Sequence, residues 1–244
     1  MPIQVVKSAN MPAKPLHTFV FGPLRSGKTS FAATFPKPIF LSAGNEGGDT
    51  TLRFFDAEYI PINSSGDMKE AVAYVRANAP SRGWRTLVVD SITYYSDLYI
   101  TELTKNGEKA MMQRDWGMLD LHLQKWLLPE LRKLPMHVVW IAIEEDAKGN
   151  EGQIIGAKPM LYGKTASKLP GSCDLIVRSQ VSSTRNPKTG ALDPNFFLRT
   201  VGSEGTAVGG RFGPAFSEGM IPAHFNAIAA RIGPYIGEQP VSSA

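Results

Sequence analysis

The octet Gly22-Pro-Leu-Arg-Ser-Gly27-Lys28-Thr29 has the spacing G-x-x-x-x-G-K-[ST] and the residue types needed to hold a chain of phosphates. Glycines let backbone N–H groups close around phosphate oxygens, and a helix N-terminus directly after the loop adds positive potential. Lys28 would reach the terminal phosphate oxygens and the Thr29 hydroxyl would coordinate Mg²⁺. Gly22, Arg25, Ser26, Gly27 and Ser30 complete the loop expected to contact the nucleotide.

Such a loop needs an acid to hold the metal, usually at the end of a buried apolar strand, and Leu87-Val-Val-Asp90 supplies Asp90. The alternative for Asp90 is a cap on the helix that begins near Ser91-Ile92. Orienting or deprotonating water needs a further carboxylate. Glu46 is the first choice, with Asp49 in contention; Glu144 and Glu145 lie at the end of another strand.

The elements that must position these groups follow from hydrophobic pattern and breakers. Residues 16–22 read as a strand, and a helix runs from Lys28 to Phe35 before Pro36 stops it. Strands are expected at 38–42, 58–62, 85–90 and 137–143, and helices at 67–78, 92–104 and 115–133. Alternating β and α elements, with an almost uniformly apolar strand at 85–90, point to a parallel sheet covered on both faces. Beyond Glu144 the pattern changes to Gly-rich loops, a short helix at 162–169, and strands at 174–182 and 196–201 joined by a turn at 185–190. A last helix is expected at 223–232. The domain division is an N-terminal extension over 1–15, one ATPase-type domain over 16–232 and a mobile tail over 233–244.

The 244 residues carry 26 Lys+Arg against 22 Asp+Glu, a mild excess of +4 that permits a polyanionic partner without requiring one. One cysteine excludes an internal disulfide framework, and four histidines without metal-ligand spacing argue against zinc. No apolar run has the length of a membrane span, and none near the N-terminus suits a signal peptide. The expectation is a cytoplasmic protein, of a bacterium or a phage-infected host.

With these residues in place, the chain resembles the RecA-like ATPases, most closely the short phage ATP-binding proteins of recombination and single-strand annealing. The resemblance spans roughly 16–232 and rests on the loop Gly22 to Thr29, the strand 38–42 running into Gly44-Asn-Glu-Gly-Gly48, and the strand ending at Asp90. The segment Pro159-Met-Leu-Tyr-Gly-Lys164, with Leu169 and Asp174, is its last part. It implies a RecA-like P-loop fold of α/β class: a mostly parallel central sheet flanked by helices, with additional C-terminal strands and the acid-bearing strand not adjacent to the loop strand. It implies ATP and Mg²⁺ as ligands, Glu46 as catalytic acid, and a homo-oligomeric ring or filament with ATP between subunits. A cation from one protomer, Lys164 or Lys168, would then act on the neighbour's γ-phosphate.

Two segments are composed for a nucleic-acid strand. In 104–116, Lys105, Lys109 and Arg114 are interleaved with Met111, Met112 and Trp116; the second is 148–168, and Arg185 with Lys188 is a weaker candidate. Tyr94, Tyr95 and Tyr99 read as helix packing. Ile3-Gln-Val-Val6 reads as a strand for a sheet edge, a neighbour's or its own. The function expected is a DNA-dependent ATPase that assembles on single-stranded DNA, with a single-strand DNA-binding protein as a further partner. The alternative is a nucleotide-gated assembly or loader protein with little turnover. A small-molecule kinase is disfavoured by the few arginines after Glu144, and GTP by the lack of N-K-x-D.

Overall fold

The computed structural model describes residues 11–44, 48–185, 190 and 192–240. Glu46, Lys188 and the 3–6 run lie outside them, as do most of the 185–190 turn and the Asp49 side chain. In chain order the elements are β1 (His17–Gly22), α1 (Lys28–Ala33), β2 (Pro38–Ala43), α2 (Gly48–Leu52), β3 (Glu58–Ile62), α3 (Ser65–Arg82) and β4 (Thr86–Asp90). Then come α4 (Ile92–Leu103), α5 (Gln113–Leu121), a π-helical stretch His122–Leu127, α6 (Leu128–Arg132), β5 (His137–Lys148), β6 (Ile154–Pro159) and α7 (Thr165–Gly171). The chain closes with β7 (Leu175–Arg185), β8 (Leu192–Arg199), β9 (Gly209–Gly210), β10 (Met220–Pro222) and α8 (Phe225–Ile236).

The sheet runs β10-β8-β7-β1-β5-β4-β2-β3. From β7 to β3 every pairing is parallel, and β8 and β10 add antiparallel strands at one side. The acid-bearing β4 is therefore separated from the loop-bearing β1 by β5. This is the order that the RecA-like resemblance implies.

Side chains alternate faces along each strand and so divide the core in two. Phe19, Phe21, Ile39, Leu41, Leu87, Val89, Val138 and Trp140 face the layer of α3, α4 and α5. Val20, Phe40, Val88, Val139 and Ile141 face the opposite layer, with Phe31 of α1 and Ile228 and Ile232 of α8. Burial on both faces explains the unbroken apolar run of β4. Local signals start the helices: Ser64 accepts from Asp67 N at 3.0 Å to cap α3, and Gly83, with φ 71°, closes it.

The structure corrects several expectations. Beyond Glu144, where loops were expected, β5 continues to Lys148 and pairs antiparallel with β6. The helix expected at 115–133 is three pieces with a π-helical middle. The last helix, expected to end at 232, runs as α8 through Pro234 to Ile236, and the buried Glu238 carboxylate beyond it pairs with Arg85 and with His137 Nε2. At the other end Lys14 is tied into the fold: its N–H donates to Tyr235 O at 3.1 Å and its ammonium pairs with Asp174 at 2.8 Å. Apolar periodicity cannot register such single polar ties.

Candidate nucleotide-binding site

Parallel strands place their C-terminal ends on one edge of the sheet, and a cleft of about 740 Å³ opens there. The loop Leu24 to Ser30 forms its floor, Asp90 and Tyr94 one wall, and Phe196 of β8 also lines it.

Each loop glycine has its own cause. A Cβ at Gly22 would lie 2.5 Å from Ser179 O and 2.9 Å from Ser26 Oγ, so β7 leaves no room for a side chain. Gly27 has φ +83°, in the left-handed region that disfavours a Cβ, and a Cβ there would also meet Phe196 Cδ1 at 2.6 Å. Ser179 Oγ donates to Ser26 O at 2.5 Å, so the loop is fastened to the β7–β8 ribbon by a hydrogen bond and by ring contact.

Lys28, mostly buried, donates to Gly22 O at 2.9 Å and Pro23 O at 2.6 Å, which holds its ammonium folded over the loop. The Thr29 hydroxyl donates to Asp90 Oδ2 at 2.8 Å. Burial pushes the Asp90 carboxyl above the usual carboxylate range, opposed by that hydrogen bond and by the Lys28 charge. The neighbouring helix is capped by Ser91, whose Oγ accepts from Tyr94 N at 3.4 Å, so the capping alternative for Asp90 does not apply. Among the described residues no group of three or more His, Cys, Asp or Glu side chains is placed to hold a metal. Mg²⁺ keeps several waters and is shared between one or two protein oxygens and phosphate oxygens. Thr29 Oγ1 and Asp90 Oδ2 are the pair that would hold it, where it would neutralise charge on the phosphates.

The other sequence candidates fall elsewhere. Glu144 does not line the cleft; it accepts from Arg178 Nε at 2.8 Å and Nη2 at 2.9 Å, a forked pair across the end of β1. Glu145 pairs with Lys158 at 3.3 Å. Lys164 at the N-cap of α7 and Lys168 within it are exposed, and neither lines this cleft.

In the 104–116 segment, Lys105 is an exposed turn residue with φ 51°. Lys109 and Arg114 lie 3.2 and 3.6 Å from the buried Asp115 carboxylate, which also accepts from Met112 N at 3.0 Å as the cap of α5. Trp116 is 40% exposed. It lines a cavity of about 300 Å³ with Leu119, Asp120, Tyr162 and Gly163. The Trp116 and Tyr162 rings lie 5.7 Å apart, and Tyr162 Oη donates to Asp97 at 2.8 Å. Burial, with that hydrogen bond, pushes the Tyr162 phenol up to about 12.

Of the three tyrosines expected to pack, Tyr95 is fully buried with its hydroxyl 2.5 Å from His122 Nε2, and Tyr99 stacks on His122 at 4.2 Å. Tyr94 instead lines the cleft. Sequence reasoning also missed Phe196, Ser179 and the Glu144–Arg178 pair. Nothing local marks these three, because β7 and β8 reach the loop only through sheet order.

Phosphate loop, strand order and the Thr29–Asp90 contact together define a P-loop nucleoside triphosphatase. The chain belongs to the AAA domain family, whose family model matches residues 14–212. No curated protein matches it. It is thus an ATP-binding P-loop ATPase by family, and among the described residues no helix is long and apolar enough to cross a membrane.

Proposed function

We propose that this AAA-domain protein is a DNA-dependent ATPase that assembles on single-stranded DNA and promotes recombination or strand annealing, as the phage ATP-binding proteins it resembles do. The observation that carries the reading is the notch of about 300 Å³ between Trp116 and Tyr162. It joins the two segments whose composition suits a nucleic-acid strand, 104–116 and 148–168, and offers a half-exposed indole on which a base can stack. Lys105 and the exposed Arg114 lie on the segment that carries Trp116, so cations able to pair with phosphates come with the aromatic surface.

In this reading Glu46 activates the attacking water, Thr29 and Asp90 carry Mg²⁺, and Lys28 holds the phosphates. Lys164, exposed outside its own cleft, serves the nucleotide of the adjoining subunit in a ring or filament. A single-strand DNA-binding protein is a further partner, and the setting is the cytoplasm of a bacterium or phage-infected host. The test is ATP turnover without DNA, with single strands and with duplex. Stimulation by single strands over duplex is the expected result, and equal rates in all three overturn DNA dependence.

One observation favours a second reading, a nucleotide-gated assembly or loader protein with little turnover. Lys109 and Arg114 already serve Asp115, which leaves fewer cations for phosphates. Slow hydrolysis in all three conditions, with nucleotide-dependent assembly by light scattering, would select it.

A further inference from the structure

At the sheet edge opposite the cleft, basic side chains from four parts of the chain converge on a cavity of about 220 Å³. They are Lys14 before β1, His17 at its start, Arg132 at the end of α6 and Arg211 after β9. The six residues of β1 separate this cavity from the phosphate loop by about 20 Å.

Asp174 is the acid among the cavity's lining residues, and its carboxylate is well served: Lys14 Nζ at 2.8 Å, His17 N at 3.2 Å and Arg211 Nη1 at 3.5 Å. Arg132 donates to the neutral carbonyl of Ser172, and Arg211 Nη2 to that of Gly171 at 2.9 Å. Three full positive charges therefore face one negative charge in a concave site, an arrangement that concentrates anions. At its back, His17 Nδ1 is buried and has no hydrogen-bond partner among the described residues. Burial holds the imidazole neutral, lowered to about 4, with Asp174 favouring its charged form and Arg132, Lys14 and His137 opposing it.

We propose that this cavity is a binding site for a phosphate-type oxyanion, either free phosphate or one phosphate of a nucleic-acid backbone. Its volume is well below the 740 Å³ of the cleft, so it admits a single anionic group and not a nucleotide. Two guanidinium groups supply the forked donors that tetrahedral oxyanions take, and the 64% and 55% exposure of the Lys14 and Arg211 side chains leaves the mouth open to a strand passing outside.

The probe is inorganic phosphate, titrated at constant ionic strength into full-length Lys28→Ala protein so that the phosphate loop does not compete. The reporter is the His17 imidazole ¹⁵N signal, assigned by its loss in His17→Gln. A saturable shift that chloride does not reproduce, weakened at least tenfold in Arg132→Gln/Arg211→Gln, is the expected result. If that double variant is unfolded by circular dichroism, Lys14→Gln supplies the comparison. A linear drift, or an equal response in the charge-removed protein, overturns the site. Displacement of phosphate by a 5′-hydroxyl oligothymidylate identifies a backbone phosphate as the occupant, and saturable phosphate binding without displacement identifies the free anion.

Discussion

The Thr29 hydroxyl and the Asp90 carboxylate meet at 2.8 Å although their residues stand 61 apart in sequence and the strands leading to them, β1 and β4, do not pair. β5 between them sets a gap that one hydrogen bond closes. Mg²⁺ would replace that bond with two metal–oxygen contacts. Thr29→Ala and Asp90→Asn should therefore weaken MgATP binding about tenfold or more while changing Mg²⁺-free binding little, and Lys28→Ala should weaken both. A charge-assisted hydrogen bond is worth about 1.5–3 kcal/mol, or about ten- to a hundredfold. Fluorescent-nucleotide titrations with and without EDTA read the difference, and equal losses in both conditions for Asp90→Asn would remove it from the metal site.

Gly27→Ala should lower stability by about 1–2 kcal/mol through its positive φ alone, with an added steric part from Phe196. For a chain of this size that φ term is a fall of about 2–8 °C in thermal midpoint. Phe196→Ala in the Gly27→Ala background should return the steric part and leave the backbone part. Strict additivity of the two substitutions would show that ring and loop do not press on each other.

Trp116→Ala should reduce single-stranded DNA affinity by about 1–3 kcal/mol and leave its salt dependence unchanged, because stacking releases no counterions. Charge reversal at Lys105 and Arg114 should lower both affinity and the salt slope, by about 0.7 for each lost phosphate contact. Lys109 should matter less to DNA than to stability, since it pairs with the buried Asp115. Filter binding across a salt series distinguishes the three, and unchanged binding in all of them would relocate the DNA surface.

Acid should destabilise the fold before its carboxylates titrate. Burial lowers His17 and His122 from 6.5 to about 4, and His137 is lowered in the same direction despite its contact with Glu238. Between these values the unfolded chain binds protons that the folded chain refuses, so stability is complete above about pH 6.5 and falls as pH drops towards 4. Calorimetry at pH 5.5 in two buffers of different ionisation enthalpy should report net proton uptake on unfolding, smaller in His122→Gln. Net release at that pH would contradict the burial of these rings.

The phosphate loop and the Asp90 strand were legible because each is a local pattern: eight consecutive residues in one case, an apolar run ending on a carboxylate in the other. Their meeting at one edge followed from the alternation of strands and helices. The ribbon against the loop was not legible. Ser179 lies in β7, parallel to β1 on one side and antiparallel to β8 on the other, and Phe196 in β8, and their role depends on β7 pairing with β1, Thr18 opposite Leu175. In 104–116 the sequence did not show that two of the interleaved cations, Lys109 and Arg114, lie against Asp115. A carboxylate cap looks the same in sequence whether its cations face inward or toward a ligand.

The position of β1 at the centre of the sheet has a consequence for biosynthesis. The strand that carries the phosphate loop leaves the ribosome well before the segments that flank it: Leu16 bonds to His137, 121 residues on, and His17 to Asp174, 157 residues on. At about 5–20 residues per second, the translation delay before Asp174 is made is about 8–30 s. Until β5 is made, Phe19, Val20 and Phe21, all fully buried in the finished protein, sit on a nascent strand with both hydrogen-bonding edges open, and the edge that β7 covers stays open to the end of that interval. The feature that centres the nucleotide site thus leaves β1 exposed during synthesis, and a natural point of engagement for chaperones.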